Sequence, residues 1–237
     1  YENAIRYARG ESMDVHLARV SELWARFNEE GLSNPNAWIQ TRHDAEEIRT
    51  PSSSNRAVSF PYTKMMNANM VVDMGAAVIL CSVGRAKNLG IPEEKWVYPY
   101  AGVQGYDHFS ASVRDNFYTS PGVRIVGDRV MELAQAGPED LDFVDLYSCF
   151  PSAVQVAAME LGLSEERPLT VTGGLTFGGG PLNNYVMHSV ARTVELLREK
   201  PGGKGLVTAN GNYVTKQSAG IYSTERPNRA FKPKDPK

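Results

Sequence analysis

Apolar residues recur along this chain at two different periods. Residues 13 to 30 place Val15, Val20, Leu23, Trp24 and Phe27 at helical spacing between charged positions. The pattern stops at Gly31 and predicts an amphipathic helix. Turn chemistry follows in Ser33-Asn34-Pro35-Asn36, then a short helix around Asp44 to Arg49 with Asp44 as its N-cap. Thr50 to Asn55 reads as a loop. Up to about residue 70 the pattern is helical and loop-rich, with little strand signal.

The character then changes. After the small-residue turn Asp73-Met74-Gly75, the run Ala76 to Cys81 is continuously apolar. Such a run predicts a strand covered on both faces. A short helix over Val83 to Leu89 ends at Gly90, and Trp96 to Val103 reads as a further strand. Residues 104 to 121 are polar and aromatic, a surface excursion. From Val123 onward helices and strands alternate: helix 126–135, strand 143–147, helix 152–161, strand 169–171. A glycine-rich turn spans 173–180, helix 183–200 carries Val186, Val190, Val194 and Leu197 on a stripe, and strands 205–210 and 218–223 pair. The proline-rich, basic tail from Glu225 has no core-forming pattern and reads as a linker. No repeat of 20 to 50 residues occurs.

Composition narrows the function classes more than it names one. Across 237 residues, 42% are hydrophobic and 22% charged, and the formal net charge is −2. These values fit a globular domain and give no electrostatic reason to expect nucleic acid or an anionic membrane as partner. No apolar run reaches the eighteen or so residues of a membrane span. The start at Tyr1-Glu2-Asn3, already in helical pattern and without a leader, reads as internal to a longer polypeptide. Cys81 and Cys149 stand far apart, so no disulfide framework is expected and a reducing cytoplasm is the default.

Four segments carry chemistry. In Asp145-Leu146-Tyr147-Ser148-Cys149-Phe150-Pro151 a strand runs directly into a helix. A thiol beside helix N-terminal amides is expected to have a lowered pKa, the competing reading being a buried, inert cysteine. Thr172 to Asn184 holds five glycines within eight residues, among them Gly178, Gly179 and Gly180, opening onto a helix near Asn183 and Asn184. Such a run permits close approach of a ligand and offers amides to an anion, or else is a tight turn packed on a neighbour. It matches neither a Walker loop nor a dinucleotide fingerprint. The loop Ala209-Asn210-Gly211-Asn212-Tyr213-Val214-Thr215-Lys216 gathers amides, hydroxyls and a lysine at strand ends, suited to a carbonyl or phosphate or simply to an exposed hairpin. His188 shares a helix face with Arg192, Glu195 and Glu199, a polar face, and is the weakest candidate base. His16, His43 and His108 have no evident partner in the sequence, and metal-ligand spacing is absent.

The order of these segments resembles the thiolase superfamily, whose members have two similar halves, a helical loop domain in the first, and three motif loops from the second. Asp73 to Leu80 is similar to the Asp-Gly-Ala-Ala strand that follows the loop domain. Asp142 to Phe150 resembles the strand leading into the Asn-Glu-Ala-Phe motif. The sterol-carrier-type branch reads His-Asp-Cys-Phe there, nearer to Tyr147-Ser148-Cys149-Phe150. Gly173 to Leu182 is similar to the Gly-Gly…Gly-His-Pro-Leu loop, and Ala209 to Ser223 stands where the Cys-x-Gly loop and last strand fall. The resemblance implies an α/β fold: a layered αβα C-terminal half (96–226) after a helical loop domain (1–70), the end of the first half (71–95), and a tail (227–237).

The departures fall on the chemistry. Gly180 stands where the family has its catalytic histidine, Tyr147 where an asparagine or histidine orients water, and no cysteine occurs near Ala209 or Asn210. The family's nucleophilic cysteine belongs to the half that precedes the loop domain. The resemblance implies a CoA thioester as substrate, no separate cofactor, and a homo-oligomer with or without a further subunit. The catalytic candidates are Tyr147, Cys149, His188 and Asn210. Gly178, Gly179, Gly180, Asn183, Asn184 and Lys216 are expected to bind substrate. Two outcomes follow: an acyltransferase-like enzyme of the acetyl-CoA acetyltransferase type with altered chemistry, or a non-catalytic CoA-ester-binding scaffold.

Overall fold

A computed structural model describes residues 1–228. The tail expected over 227–237 lies almost wholly outside the described residues. Helix α1 (Glu2–Ala8) leads into α2 (Met13–Ser33), whose first turn is closed by Ser12 accepting from the Val15 amide at 3.3 Å. The stripe foreseen in α2 is the buried one: Val20, Leu23, Trp24 and Phe27 face inward, with the Trp24 and Phe27 rings stacked at 4.9 Å. Helix α3 (Ala45–Arg49) begins with a capping box in which Asp44 and Glu47 satisfy each other's backbone amides. A small hairpin, β1 (Ala57–Ser59) with β2 (Tyr62–Thr63), was not foreseen; three- and two-residue strands leave too little alternation to read.

The remainder is α/β. After α4 (Val83–Asn88) come β3 (Tyr98–Tyr106), α5 (Pro121–Ala134), β4 (Phe143–Asp145), α6 (Pro151–Glu160), α7 (Tyr185–Glu199), β5 (Lys204–Gly211) and β6 (Lys216–Ser223). The four strands form one sheet in the order β3-β6-β5-β4, with β4 and β5 parallel and the other pairs antiparallel. Helices cover both faces. Gly205 of β5 sits so close to α7 that a Cβ there would meet Thr193 at 2.3 Å, and one on Gly105 of β3 would meet Val126 of α5 at 2.9 Å. One apolar cluster runs from Trp24 and Phe27 of α2 to Leu206 and Ile221 of the sheet, so the helical segment and the sheet share a core.

Three expectations change. The run Ala76–Cys81 forms no ladder with any described strand, and its residues alternate between half-buried and exposed, with Ile79 94% exposed. It therefore rests one face on the protein. It is tethered by Asn184, whose side chain accepts from the Ala76 amide at 2.8 Å and donates to the Ala76 carbonyl at 3.3 Å. The strand expected at 169–171 is reduced to a single bond, Leu146 N–H to the Leu169 carbonyl at 2.9 Å. Helix α5 starts earlier than its apolar stripe because Ser120 caps it and Pro121 opens it.

Candidate active site

Parallel strands β4 and β5 end side by side, and this alone brings two of the sequence segments together. The chain leaves β4 at Asp145 and runs through Tyr147 and Cys149 into α6. The Tyr147 amide donates across to Thr208 Oγ1 of β5 at 2.9 Å. Two residues further along each path, the Cys149 thiol faces Asn210 Oδ1 at 4.0 Å. Tyr147, Thr208, Asn210 and Gln217 border a small cavity of about 20 Å³, room for one water. Gln217 comes from β6, is buried, and its amide nitrogen has no partner among the described residues.

The electrostatics of this corner favour neutral groups. Burial pushes the Cys149 thiol up to about 11, against the lowering effect of the amides of Phe150 and Cys149 and of Asn210. The helix-terminus expectation of a lowered pKa is thus overturned: desolvation outweighs the amides. Burial, with the neighbouring Cys149, also raises the Tyr147 phenol above its usual value. At neutral pH both are protonated donors.

Beneath the mouth lies a second assembly that sequence reading missed. Asp145 is fully buried and accepts six hydrogen bonds. Its Oδ2 takes Thr170 Oγ1 at 2.9 Å, Thr172 Oγ1 at 3.0 Å and the amides of Val171 and Thr172 at 3.0 and 3.3 Å. Its Oδ1 takes Tyr185 O–H at 2.9 Å and Ser189 O–H at 2.7 Å. Burial and the Asp145 charge push the Tyr185 phenol well above its usual value, so it donates. An aspartate within Phe-Val-Asp-Leu, followed by an alternating Thr-Val-Thr, was the available signal. A carboxylate in an apolar strand needs donors, and the threonines supply them.

The glycine-rich turn closes on itself and on the helical segment. The amides of Gly173 and Gly174 donate to Thr170 Oγ1, the Leu175 amide to Ser148 Oγ, and the Gly180 amide to the Asn69 carbonyl. Trp38 and Ile39 donate to the carbonyls of Gly178 and Phe177, and Trp24 Nε1 donates to Thr176 Oγ1. Those four amides are used internally, which is the packed-turn reading. Gly173, at φ 92°, could not carry a Cβ without meeting the Gly31 Cα at 2.6 Å. Gly179, at φ 105°, would meet Met74 Sδ at 2.5 Å.

The other candidates lie apart. His188 lines a different cleft of about 410 Å³, with Arg192 and Glu195 of α7 and with residues 73–77. Burial lowers its pKa, and its Nε2 is unpartnered. Asn183 is exposed, and Asn184 is occupied by Ala76. Lys216 is exposed, its ammonium 5.4 Å from the Phe109 ring centre. His16, for which no partner was legible, is held at 2.6 Å by both Glu2 and Glu11. Among the described residues no group of three or more side chains could hold a metal ion, and no helix is long and apolar enough to cross a membrane.

Comparison with known proteins decides the family. No family model matches the sequence. Among solved structures, a monomeric SCP2-thiolase-like protein type 1 from Mycobacterium smegmatis is 36% identical with a TM-score of 0.86, covering 97% of this chain and 51% of its own. The chain belongs to the thiolase superfamily. An Ltp2–ChsH2(DUF35) aldolase shares the thiolase-like fold at TM-score 0.71 and 18% identity, with 95% of this chain and 62% of that one covered. The acetyl-CoA acetyltransferase of Methanocaldococcus jannaschii is 21% identical over 131 residues, 48% of this chain and 33% of that protein. This thiolase-like chain thus spans about half the length of the SCP2-thiolase-like protein and a third of the acetyltransferase. Gly180, the residue that the sequence resemblance sets against the motif histidine, is buried and its amide is tethered to the Asn69 carbonyl.

Proposed function

We propose that the intact protein acts on a CoA thioester and makes or breaks the carbon–carbon bond beside the thioester carbonyl, with Tyr147 as the principal donor. The observation that carries this reading is the mouth itself: Tyr147, its phenol protonated, and Asn210 line one small cavity beyond the paired ends of two parallel strands, while the resemblance puts Gly180 at the superfamily's base position. In the cleaving direction a 3-hydroxyacyl thioester passes its hydroxyl proton to water, and C3 becomes the released carbonyl. The C2–C3 bond then breaks, its electrons passing to C2 and the thioester oxygen, and C2 regains a proton. A neutral phenol is the right partner for that developing oxyanion. Asn210 Nδ2 is the second donor, since its Oδ1 is turned to Cys149. Cys149, kept protonated by burial, serves here as a thiol and not as a nucleophile. The shared fold of the Ltp2–ChsH2(DUF35) aldolase agrees with a carbon–carbon bond reaction, and its DUF35 component with a further subunit for this protein also.

A second reading is favoured by Gly180: a CoA-ester-binding subunit without turnover. Incubating the full-length polypeptide with a 3-hydroxyacyl-CoA, and following shortened acyl-CoA and released carbonyl by chromatography, separates the two. The proposal expects carbon–carbon cleavage with no acyl mass retained on Cys149. Binding without cleavage in either direction establishes the second reading in its place.

A further inference from the structure

The turn that carries Cys149 is not closed by its own residues. Helix α6 opens at Pro151 with Phe150 at the N-cap position, and no side chain of its own caps the first turn. The acceptor comes from β2: the Ser152 amide donates to the Tyr62 hydroxyl at 3.3 Å. The Tyr62 ring also lies parallel to that of Phe150, their centres 5.9 Å apart at 9°. The Ala68 amide, six residues beyond Tyr62, donates to the Cys149 carbonyl at 3.2 Å. Residues 62 to 68 therefore grip positions 149, 150 and 152 together.

Tyr62 is fixed in turn from behind. Its hydroxyl donates to Glu2 Oε2, and Glu2 Oε1 meets His16 Nε2 at 2.6 Å and Gln155 Nε2 at 2.7 Å. Beyond His16 stand Glu11 and Arg19, and Arg19 reaches both Glu165 and Gln155 Oε1. Burial, and next the Glu2 charge, push the Tyr62 phenol far above its usual range. The hydroxyl keeps its proton, so it donates to Glu2 while accepting from Ser152. The buried network thus holds α6 at two points, Ser152 and Gln155, through groups that belong to α1, α2 and β2.

We infer that Tyr62 is a positioning residue for the mouth: with Glu2 and His16 behind it, it sets where the Cys149 turn stands relative to Tyr147 and Asn210. The consequence for turnover rests on the acyl-CoA reading above; the consequence for the thiol does not. Loosening the clamp frees the turn from desolvating contacts, so the Cys149 thiol becomes more accessible and its pKa falls back toward the ordinary thiol value.

The test uses the full-length polypeptide and Tyr62→Phe, which keeps the ring on Phe150 and removes both hydrogen bonds. Alkylation of Cys149 by iodoacetamide is followed between pH 7 and 10 by peptide mass mapping, which separates it from Cys81. Turnover of a 3-hydroxyacyl-CoA is measured on the same samples. The clamp predicts alkylation about tenfold faster, the equilibrium weight of one lost hydrogen bond, with the pH midpoint moved downward. Val130→Ala, a cavity in α5 far from the turn, supplies the comparison for general loosening and should stay within about twofold of wild type. Unchanged alkylation in Tyr62→Phe, or equal acceleration in Val130→Ala, overturns the inference. If Tyr62→Phe frees the thiol while wild type shows no turnover, the clamp stands and the acyl-CoA reading fails.

Discussion

The glycine turn and the Tyr147–Cys149–Asn210 mouth lie next to each other in space and are built in opposite ways. In the turn every described residue from 173 to 180 is buried, and its hydrogen bonds run to Thr170, Ser148, Asn69 and the helical segment. In the mouth Tyr147, Cys149 and Asn210 are half-buried, the Cys149 thiol faces Asn210, Tyr147 and Asn210 border a small cavity, and among the described residues the Gln217 amide nitrogen has no partner. A region that satisfies all its polar groups internally contributes rigidity and has little left to offer a substrate. One that leaves donors open loses some stability and gains chemistry. Substitutions in the turn should therefore cost folding, and substitutions in the mouth should cost reactivity.

The largest effect is expected from Gly173→Ala. A side chain at φ 92°, pressed against the Gly31 backbone, has no relaxed position, and strain plus overpacking amount to about 4 kcal/mol. Urea unfolding of the full-length protein should show that loss or give no folded protein. Asp145→Asn comes next. The amide would turn donors toward the Thr170 and Thr172 hydroxyls and amides, at about 3 kcal/mol; a shift below about 1 kcal/mol would show that the hub is not essential to the turn. In the mouth, Cys149 is expected to react with iodoacetamide at pH 8 roughly a hundredfold more slowly than a free cysteine, because a pKa near 11 leaves little thiolate.

The smallest effect concerns acid. At Glu11, burial acts to raise the pKa, but hydrogen bonds from Arg19, His16 and Arg9 outweigh it and hold the carboxylate near 2. A depressed carboxylate stabilises the fold above its unfolded value of about 4.5 and loses that contribution as pH falls toward 2. After allowance for its partial exposure the loss should be about 1 kcal/mol, measurable as a drop in Tm between pH 5 and pH 2.5 that Glu11→Gln removes.

Much of this contrast was legible in the sequence, for identifiable reasons. The α2 stripe and the α/β alternation after Val123 are periodic, and periodicity reports burial directly. Tyr147, Cys149 and Asn210 were legible because they sit at strand ends, where register puts neighbours together. The Asp145 hub was missed because its six donors are spread over 25 to 44 residues of chain, and local patterns do not record such distances. The run Ala76–Cys81 misled for a related reason. Continuous apolar character reports the cover a strand requires, and none of the described strands supplies it here. His188 was drawn in by its residue type alone; helix geometry carries it to the cleft beside residues 73–77.

The central claim is that the chemistry belongs to the mouth, and Tyr147→Phe tests it most directly. The variant removes one hydroxyl and keeps the ring against Tyr185, so urea unfolding should change by less than about 1 kcal/mol. Turnover of a 3-hydroxyacyl-CoA by the full-length variant should fall about a hundredfold, the usual cost of one oxyanion donor. Full turnover with an unchanged pH profile in Tyr147→Phe would contradict the account.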